Sequence, residues 1–368
     1  MIKAKYDWKL DETVLSEDFL KISKKHKLDE LTSRVLYQRG IHDESEIEKF
    51  LKPNLEDLHD PFLLHDMEKA TQRILSAIEQ GENILIYGDY DADGMTAASV
   101  MKSALDELGA EAQVYLPNRF TDGYGPNLDV YQYYINNENI NLIITVDNGV
   151  AGVEAIAWAQ ENGVDVIITE HHSMPDQLPN AYAIIHPEHP ESQYPFKYLA
   201  GVGVAFKVAC ALLEYAPREM LDLVAIGTIA DMVSLTDENR ILVAHGLKVL
   251  AQTERAGLQE LMKYAGVDFD KVTEETVGFQ IAPRLNALGR LDDPNPAIEL
   301  LTGWDEDEAH EIAKMIDQKN SERKDIVEKI HNEALAMLTD EPVQILYHKD
   351  WHKGVLGFVA GRLLEQIH

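Results

Sequence analysis

Thiol chemistry is all but missing from this chain, which holds a single cysteine, Cys210, in an apolar stretch of helical spacing. No internal disulfide can form, and a cytoplasmic setting is the expectation. Long apolar runs are missing as well. No segment approaches the roughly 20 residues needed to cross a bilayer, so no membrane partner is expected. The opening residues Met1-Ile2-Lys3-Ala4-Lys5 lack the apolar stretch of a secretory leader. Positive charge is scarce: 33 Lys and Arg stand against 64 Asp and Glu, a formal charge of -31. Nucleic-acid binding normally leans on basic side chains that neutralise phosphates. That leaves three cases: a small substrate, a local basic track in an acidic body, or a basic part elsewhere. Repeats and low-complexity segments are absent too. With 368 residues and 45% apolar content, two or more domains with a sizeable core are expected.

Three polar clusters sit where short apolar runs stop. Ile84-Leu85-Ile86-Tyr87-Gly88 leads into Asp89-Tyr90-Asp91-Ala92-Asp93-Gly94. Leu142-Ile143-Ile144-Thr145-Val146 leads into Asp147-Asn148-Gly149, and Val166-Ile167-Ile168-Thr169 into Glu170-His171-His172. Runs of this kind are strands buried on both faces. The pattern predicts strands over 84–88, 113–116, 142–146, 165–169 and 182–185, with helices over 64–80, 94–108, 128–136, 150–162, 201–215 and 217–230 between and after them. The alternation implies an α/β fold with a doubly wound parallel sheet. Such sheets bind ligands outside the carboxyl ends of the strands, so the clusters should converge there.

Four regions are expected: N-terminal helices over 1–62, the sheet domain over 63–235, a helical connector over 236–340, and the start of a further α/β domain over 341–368. Leu31–Arg39 and Glu44–Leu51 have helical spacing, and Glu306–Leu338 reads as one long helix. Val343–Tyr347 reads as the first strand of the last domain and Gly354–Gln366 as its first helix. So short a segment cannot bury a core of its own, so a longer protein is expected.

Carboxylates with imidazole suit Mn²⁺ or Mg²⁺. Two such ions would clamp the attacking and leaving oxygens of a phosphoryl transfer. Each cluster also has a bland reading. Asp and Gly favour turns, but three acids directly after a buried strand repel one another without a cation. A calcium loop of the helix–loop–helix kind lacks its flanking helix and its Glu. Asp91-Ala92-Asp93-Gly94-Met95-Thr96 also fits a haloacid-dehalogenase-like pattern, with Asp91 as nucleophile. That reading gives His171 and His172 no role. Asp147 or Asp231 taken singly reads equally well as a helix N-cap. The joint occurrence decides for a site.

In order, Asp91-x-Asp93-Gly94, Val146-Asp147-Asn148-Gly149, Glu170-His171-His172 and Ala230-Asp231 resemble the four motifs of the DHH phosphoesterase superfamily. Within it the chain resembles the RecJ family of bacterial single-strand-specific exonucleases. The supporting blocks are Gly88–Gly94, Pro117–Gly125, Ala282–Leu291 and Trp351–Gly357, and the resemblance covers essentially the whole chain. It implies a DHH domain and a DHHA1 domain joined by a long helix. It implies 5′→3′ hydrolysis of single-stranded DNA, in repair and recombination, with one 5′ end engaged. Single-strand-binding protein or helicase partners follow from the same resemblance.

Carried over, Asp91, Asp93, Asp147, His171 and Asp231 are the metal ligands, with Asp147 bridging two ions. These five and His172 form the catalytic set, and His172 faces the scissile phosphate. Arg119 holds the 5′ phosphate, Tyr124 stacks on a terminal base, and Arg290 lies along the DNA path. Glu170 and Asp89 stand behind the ligands. Two positions depart from the family pattern. Tyr87 stands where a His is usual, which should weaken the second metal site. Glu170 replaces the namesake Asp and can still orient His171. The later part of DHHA1 and the oligonucleotide-binding domain fall beyond residue 368, so weak DNA grip is expected of these residues alone. Rival readings are a DHH phosphodiesterase on short oligoribonucleotides or cyclic dinucleotides, and a non-catalytic DNA-binding scaffold.

Overall fold

The computed structural model describes residues 13–339 and 341–367. The helical expectation for residues 1–12 lies outside the described residues. Two compact units divide at Asp57 and Leu58. In the first, helices Glu17–Lys25, Glu30–Gln38 and Glu44–Leu51 are each entered through a capping side chain, Ser16, Asp29 and Asp43. Each cap satisfies an amide that the first turn leaves open. Leu15, Phe19, Leu36 and Ile47 bury together as the core of this unit.

The second unit is built on five parallel strands. They are β1 (Ile84–Tyr87), β2 (Ala112–Tyr115), β3 (Leu142–Val146), β4 (Asp165–Thr169) and β5 (Ala183–Ile185), in spatial order β2-β1-β3-β4-β5. Every residue of β1 and β3 is buried, which is why their sequences are nearly all apolar. Leu85, Tyr87, Ile143, Val166 and Ile168 pack on one face against Tyr131, Ile156 and Ala159 of helices Leu128–Asn137 and Val153–Glu161. Helices Ala92–Glu107 and Gly201–Leu213 pack against the strands too, and against each other. Strand order reverses between β1 and β3, and a doubly wound sheet opens a crevice at that reversal. The register Tyr87↔Thr145 aligns the two strand ends. The chain leaving β1 therefore emerges beside the chain leaving β3.

Beyond Asp231 the described chain is helical up to a 30-residue helix, Glu306–Leu335. A π-helical segment, Val277–Ile281, precedes the helix Ala282–Leu291. Pro283 has no amide hydrogen and its ring clashes with the carbonyl four residues back, so the wider turn relieves that contact. The expected strand over 343–347 does not form; these residues are irregular. Val343, Ile345 and Tyr347 are 73%, 89% and 75% exposed, and among the described residues no strand pairs with this segment. A strand without a partner gains no ladder hydrogen bonds, whatever its propensity. Helix Leu356–Ile367 does form, burying Val359 and Leu363 against Val327, Ile330 and Ala334 of the long helix.

Candidate metal centre

β1 ends at Tyr87, and the chain turns through Asp89 into Asp91, the N-cap of helix Ala92–Glu107. Asp91 Oδ1 accepts from the amides of Asp93 and Gly94 at 3.0 and 3.1 Å, which leaves Oδ2 for another partner. Asp93 follows in the first turn and is buried. Its two oxygens accept from the amides of Gly201 and Val202, at 2.7 and 2.9 Å, in the first turn of helix Gly201–Leu213. A helix N-terminus favours a carboxylate, so Asp93 is fixed from a distant part of the chain.

Asp147 follows β3 with a left-handed backbone, φ 60°, and its amide donates to the Thr169 carbonyl at 3.0 Å. Its carboxylate lies against Gly201, where a Cβ would come within 2.3 Å of Asp147 Oδ1. Only glycine leaves that space. Past β4, Glu170 Oε1 accepts from the amides of His171 and His172 at 2.9 and 3.0 Å and meets His172 Nδ1 at 2.7 Å. His171 Nε2 lies 3.0 Å from Asp147 Oδ1, 3.7 Å from Asp93 Oδ2 and 3.8 Å from Asp231 Oδ2. Asp231 is the C-cap of helix Leu221–Ala230. The helix after Asp147 begins at Val153 behind Gly152. The N-cap reading therefore fails for both aspartates.

Two groups of donor atoms result. One atom each from Asp93, His171 and Asp231 lie within 4.8 Å of one another, and so do one each from Asp89, Asp91 and Asp147. Asp147 and His171 also group with Glu170 and His172. Burial, then the neighbouring charge of Asp91, pushes Asp89 up to about 7 and Asp231 up to about 6. Burial and the other carboxylates hold Asp93 and Asp147 well above the usual range. Burial, then the charge of His172, pushes His171 down to about 4. His171 is therefore neutral and able to act as a ligand near pH 7. Asp147 Oδ1 and His171 Nε2 are both buried, and neither has a hydrogen-bond partner. Two adjacent lone-pair donors without a hydrogen-bond partner, ringed by crowded carboxylates, fit a divalent cation.

The structure thus brings Asp91, Asp93, Asp147, His171 and Asp231 together, with Asp89, Glu170 and His172 beside them. Asp89, expected behind the ligands, offers an oxygen within one of the two groups. For Glu170, burial is the largest influence and opposes ionisation, but the hydrogen bond and charge of His172 together with the amides of His171 and His172 outweigh it, and the net shift is downward. That same bond pushes His172 up to about 9. The Tyr124 hydroxyl lies 3.2 Å from His172 Nδ1. Arg119 sits with its Cζ 4.2 Å from the centre of the Tyr90 ring. Arg290 donates from Nη1 to the Gly354 carbonyl at 3.2 Å, covers Phe358 and feels the charges of Arg119 and Asp91. Tyr87 is fully buried in the core, and its hydroxyl donates to the Gly125 carbonyl at 2.9 Å. It braces the loop next to Tyr124 and reaches no donor group.

The domain match is to the DHH family, N-terminal domain, over residues 83–228. The chain is 44% identical, along its whole length, to the single-stranded-DNA-specific exonuclease RecJ of Bacillus subtilis (strain 168), covering 47% of that protein. It is 36% identical to the Escherichia coli (strain K12) RecJ over 93% of this chain and 63% of that one. A crystal structure of exonuclease RecJ bound to manganese superposes with a TM-score of 0.77 at 32% identity, over 85% of this chain and 80% of that one. The chain belongs to the RecJ family. A Thermus thermophilus RecJ structure in complex with Mn²⁺ gives a TM-score of 0.82 at 29% identity, over 95% of this chain and 50% of that one. The chain spans about half the length of the first of these curated relatives.

Three features of the site escaped the sequence reading. The amides of Gly201 and Val202 anchor Asp93. Asn286 Oδ1 accepts from the Ala92 amide at 2.8 Å, tying the helix Ala282–Leu291 to the first motif. Gly289 lets that helix approach, since a Cβ there would lie 2.0 Å from the Tyr90 carbonyl oxygen. The third feature is His186, fully buried, whose Nε2 lies 2.8 Å from the His172 carbonyl oxygen. The Gly201-Val202-Gly203 and Asn286–Gly289 blocks carried a signal in their glycines. His186 carried none.

Proposed function

We propose that this chain holds the centre of a metal-dependent 5′→3′ exonuclease acting on single-stranded DNA. Asp91, Asp93, Asp147, His171 and Asp231 would hold two Mn²⁺ or Mg²⁺ ions, with Asp147 between them. The observation that carries this is the pair of donor groups, Asp89 with Asp91 and Asp147 and Asp93 with His171 and Asp231, in which Asp147 Oδ1 and His171 Nε2 are buried without a hydrogen-bond partner. When bound, such ions neutralise the carboxylates and polarise a phosphoryl group.

The chain's own residues do the rest. Glu170 keeps His172 cationic near neutral pH, so a positive edge faces the phosphate where charge develops. Tyr124, 49% exposed, offers a ring to a terminal base. Arg119, held over Tyr90, takes the 5′ phosphate through its planar fork. Stacking on single bases would favour a single strand over a duplex. In this reading residues 63–235 are the DHH domain, 236–340 the connector, and 341–368 the opening of DHHA1. The activity would serve DNA repair and recombination in the cytoplasm, with single-strand-binding protein or helicase partners. Among the described residues no helix is long and apolar enough to cross a membrane.

The test is a hydrolysis assay on a 5′-phosphorylated single strand, its duplex and a cyclic dinucleotide, each with Mn²⁺, Mg²⁺ or a chelator. The single strand should shorten from its 5′ end, and only with metal. The formal charge of -31 opposes DNA, so binding by these residues alone should be weak, and the part of it that rests on Arg and Lys contacts to phosphates should fall between low and physiological salt. Faster hydrolysis of the cyclic dinucleotide would replace this reading with the small-molecule one. Metal binding without hydrolysis of any substrate would favour the scaffold.

A further inference from the structure

β5 ends at Ile185, whose carbonyl accepts from the Glu170 amide at 3.1 Å. His186, the next residue, therefore stands beside the Glu170-His171-His172 turn that follows β4. It is fully buried, and a buried imidazole needs partners for its nitrogens. Nδ1 accepts from the Glu188 amide at 3.0 Å, and Nε2 meets the His172 carbonyl oxygen at 2.8 Å. An amide N–H can only donate and a carbonyl can only accept. The ring is therefore the neutral tautomer with its proton on Nε2, and it donates to His172. A second proton, on Nδ1, would face the Glu188 N–H.

The bond matters because of what it holds. At His172 the chain leaves the sheet, and residues 173–180 are irregular. The His172 side chain is 41% exposed, so packing alone does not fix the ring. Glu170 Oε1 grips that ring through Nδ1 at 2.7 Å and accepts from the His172 amide at 3.0 Å. At the other end of the residue, His186 holds the carbonyl. His171 is set differently. Its Nε2 lies among Asp147, Asp93 and Asp231, and both His186 nitrogens are engaged elsewhere. The tether thus acts on His172 and leaves the candidate metal donors alone.

We propose that His186 is a positioning residue for His172. Its Nε2–H pins the His172 carbonyl, which sets the direction from which the cationic ring meets the phosphate. This rests on the function proposed above, in which His172 faces the scissile group. A charge stabilises a transition state best when it is already in place, so a ring free to swing loses rate rather than affinity.

The test uses the full chain with Mn²⁺ and the p-nitrophenyl ester of thymidine 5′-phosphate, a phosphodiester too small to need a DNA track. His186→Phe fills similar space and removes both hydrogen bonds. Its kcat should fall about 10–100-fold, the usual cost of losing an orienting partner, with KM little changed. Mn²⁺ affinity by calorimetry should stay the same. His186→Gln places an amide donor where Nε2 stood but leaves the Glu188 N–H without its acceptor. It should melt as low as His186→Phe yet recover most of the kcat. In a His172→Ala background, His186→Phe should cost no further kcat, since the tether then has no ring to aim. Should His186→Phe not fold, His186→Met takes its place in each comparison. If His186→Gln is as slow as His186→Phe, the ring serves folding alone and the proposal is overturned. A further loss in the His172→Ala background, or a loss of Mn²⁺ affinity, overturns it too. If the unaltered chain cleaves both the ester and a single strand and His186→Phe is as fast, the proposed function stands and this inference falls. If it cleaves the ester but no single strand, the DNA reading falls and the kcat comparison still decides on His186. If it cleaves neither, both fall.

Discussion

Two kinds of buried charge can be compared in this molecule. At Lys207 and Glu238 the interior is balanced. The side chains are 1% and 0% exposed and meet at 2.9 Å, and Glu238 also accepts from the His59 amide and the Tyr194 hydroxyl. At the strand ends, five aspartates crowd together, and among the described residues the cationic groups near them are imidazoles and the outlying Arg119 and Arg290. The first arrangement is complete within the chain. The second is held by backbone amides, glycine clearance and a left-handed turn, and two of its buried atoms lack a hydrogen-bond partner. Charges that a fold leaves unbalanced at such structural cost mark where something else is meant to bind.

The largest test of this contrast is Asp147→Asn, which keeps a side chain tolerant of the left-handed backbone and removes the charge. Titration calorimetry should show most Mn²⁺ binding lost, and hydrolysis should fall roughly 10³-fold. Normal Mn²⁺ affinity would show that Asp147 is not a ligand.

The balanced pair should behave in the opposite way. Lys207→Met leaves Glu238 buried and uncompensated, which costs about 3–5 kcal/mol of stability. Denaturant unfolding should show that loss, while the folded fraction binds Mn²⁺ normally. A large change in metal affinity would mean the two regions are coupled.

pH sharpens the comparison further. Asp89 is held up to about 7 and Asp231 up to about 6, whereas both titrate near about 4 when unfolded. Between those values the folded chain binds more protons than the unfolded one. Metal-free stability should therefore be full below about pH 4 and decline as pH rises toward 7. Mn²⁺ must displace those protons, so the rise in Tm that it gives should grow over the same interval. A metal-free Tm that increases steadily from pH 4 to 7 would contradict the crowding.

The smallest expected effect is at Arg119. Arg119→Ala should lower activity on 5′-phosphorylated strands about tenfold more than on 5′-hydroxyl strands. Equal losses would make Arg119 a general electrostatic residue.

Much of this was legible in the sequence because the sheet is buried on both faces. β1, β3 and β4 are nearly pure apolar runs, and each stops abruptly at its acidic or imidazole cluster. The helix expected over 64–80 does stop at Gln80, because Gly81 takes up the left-handed φ of 65° that suits glycine. What stayed hidden depends on partners distant in sequence. The amides that anchor Asp93 come from about a hundred positions away, and a backbone amide has no residue signature. Tyr87 read as a departure from a ligand pattern, yet it fills the core and braces Gly125. Residues 343–347 have strand composition, but propensity cannot supply a neighbouring strand.

The left-handed turn at Asp147 narrows what can occupy that position in a way that charge alone would not. Its backbone admits glycine, asparagine or aspartate with little strain and resists longer or branched side chains. Gly201 packs so closely on the carboxylate that a Cβ there would lie 2.3 Å from Asp147 Oδ1, so a longer side chain would have to shift one or the other. A glutamate would carry the same charge and fail on both counts. Among the residues the turn accepts, aspartate alone brings a charge, so backbone and chemistry select the same letter independently.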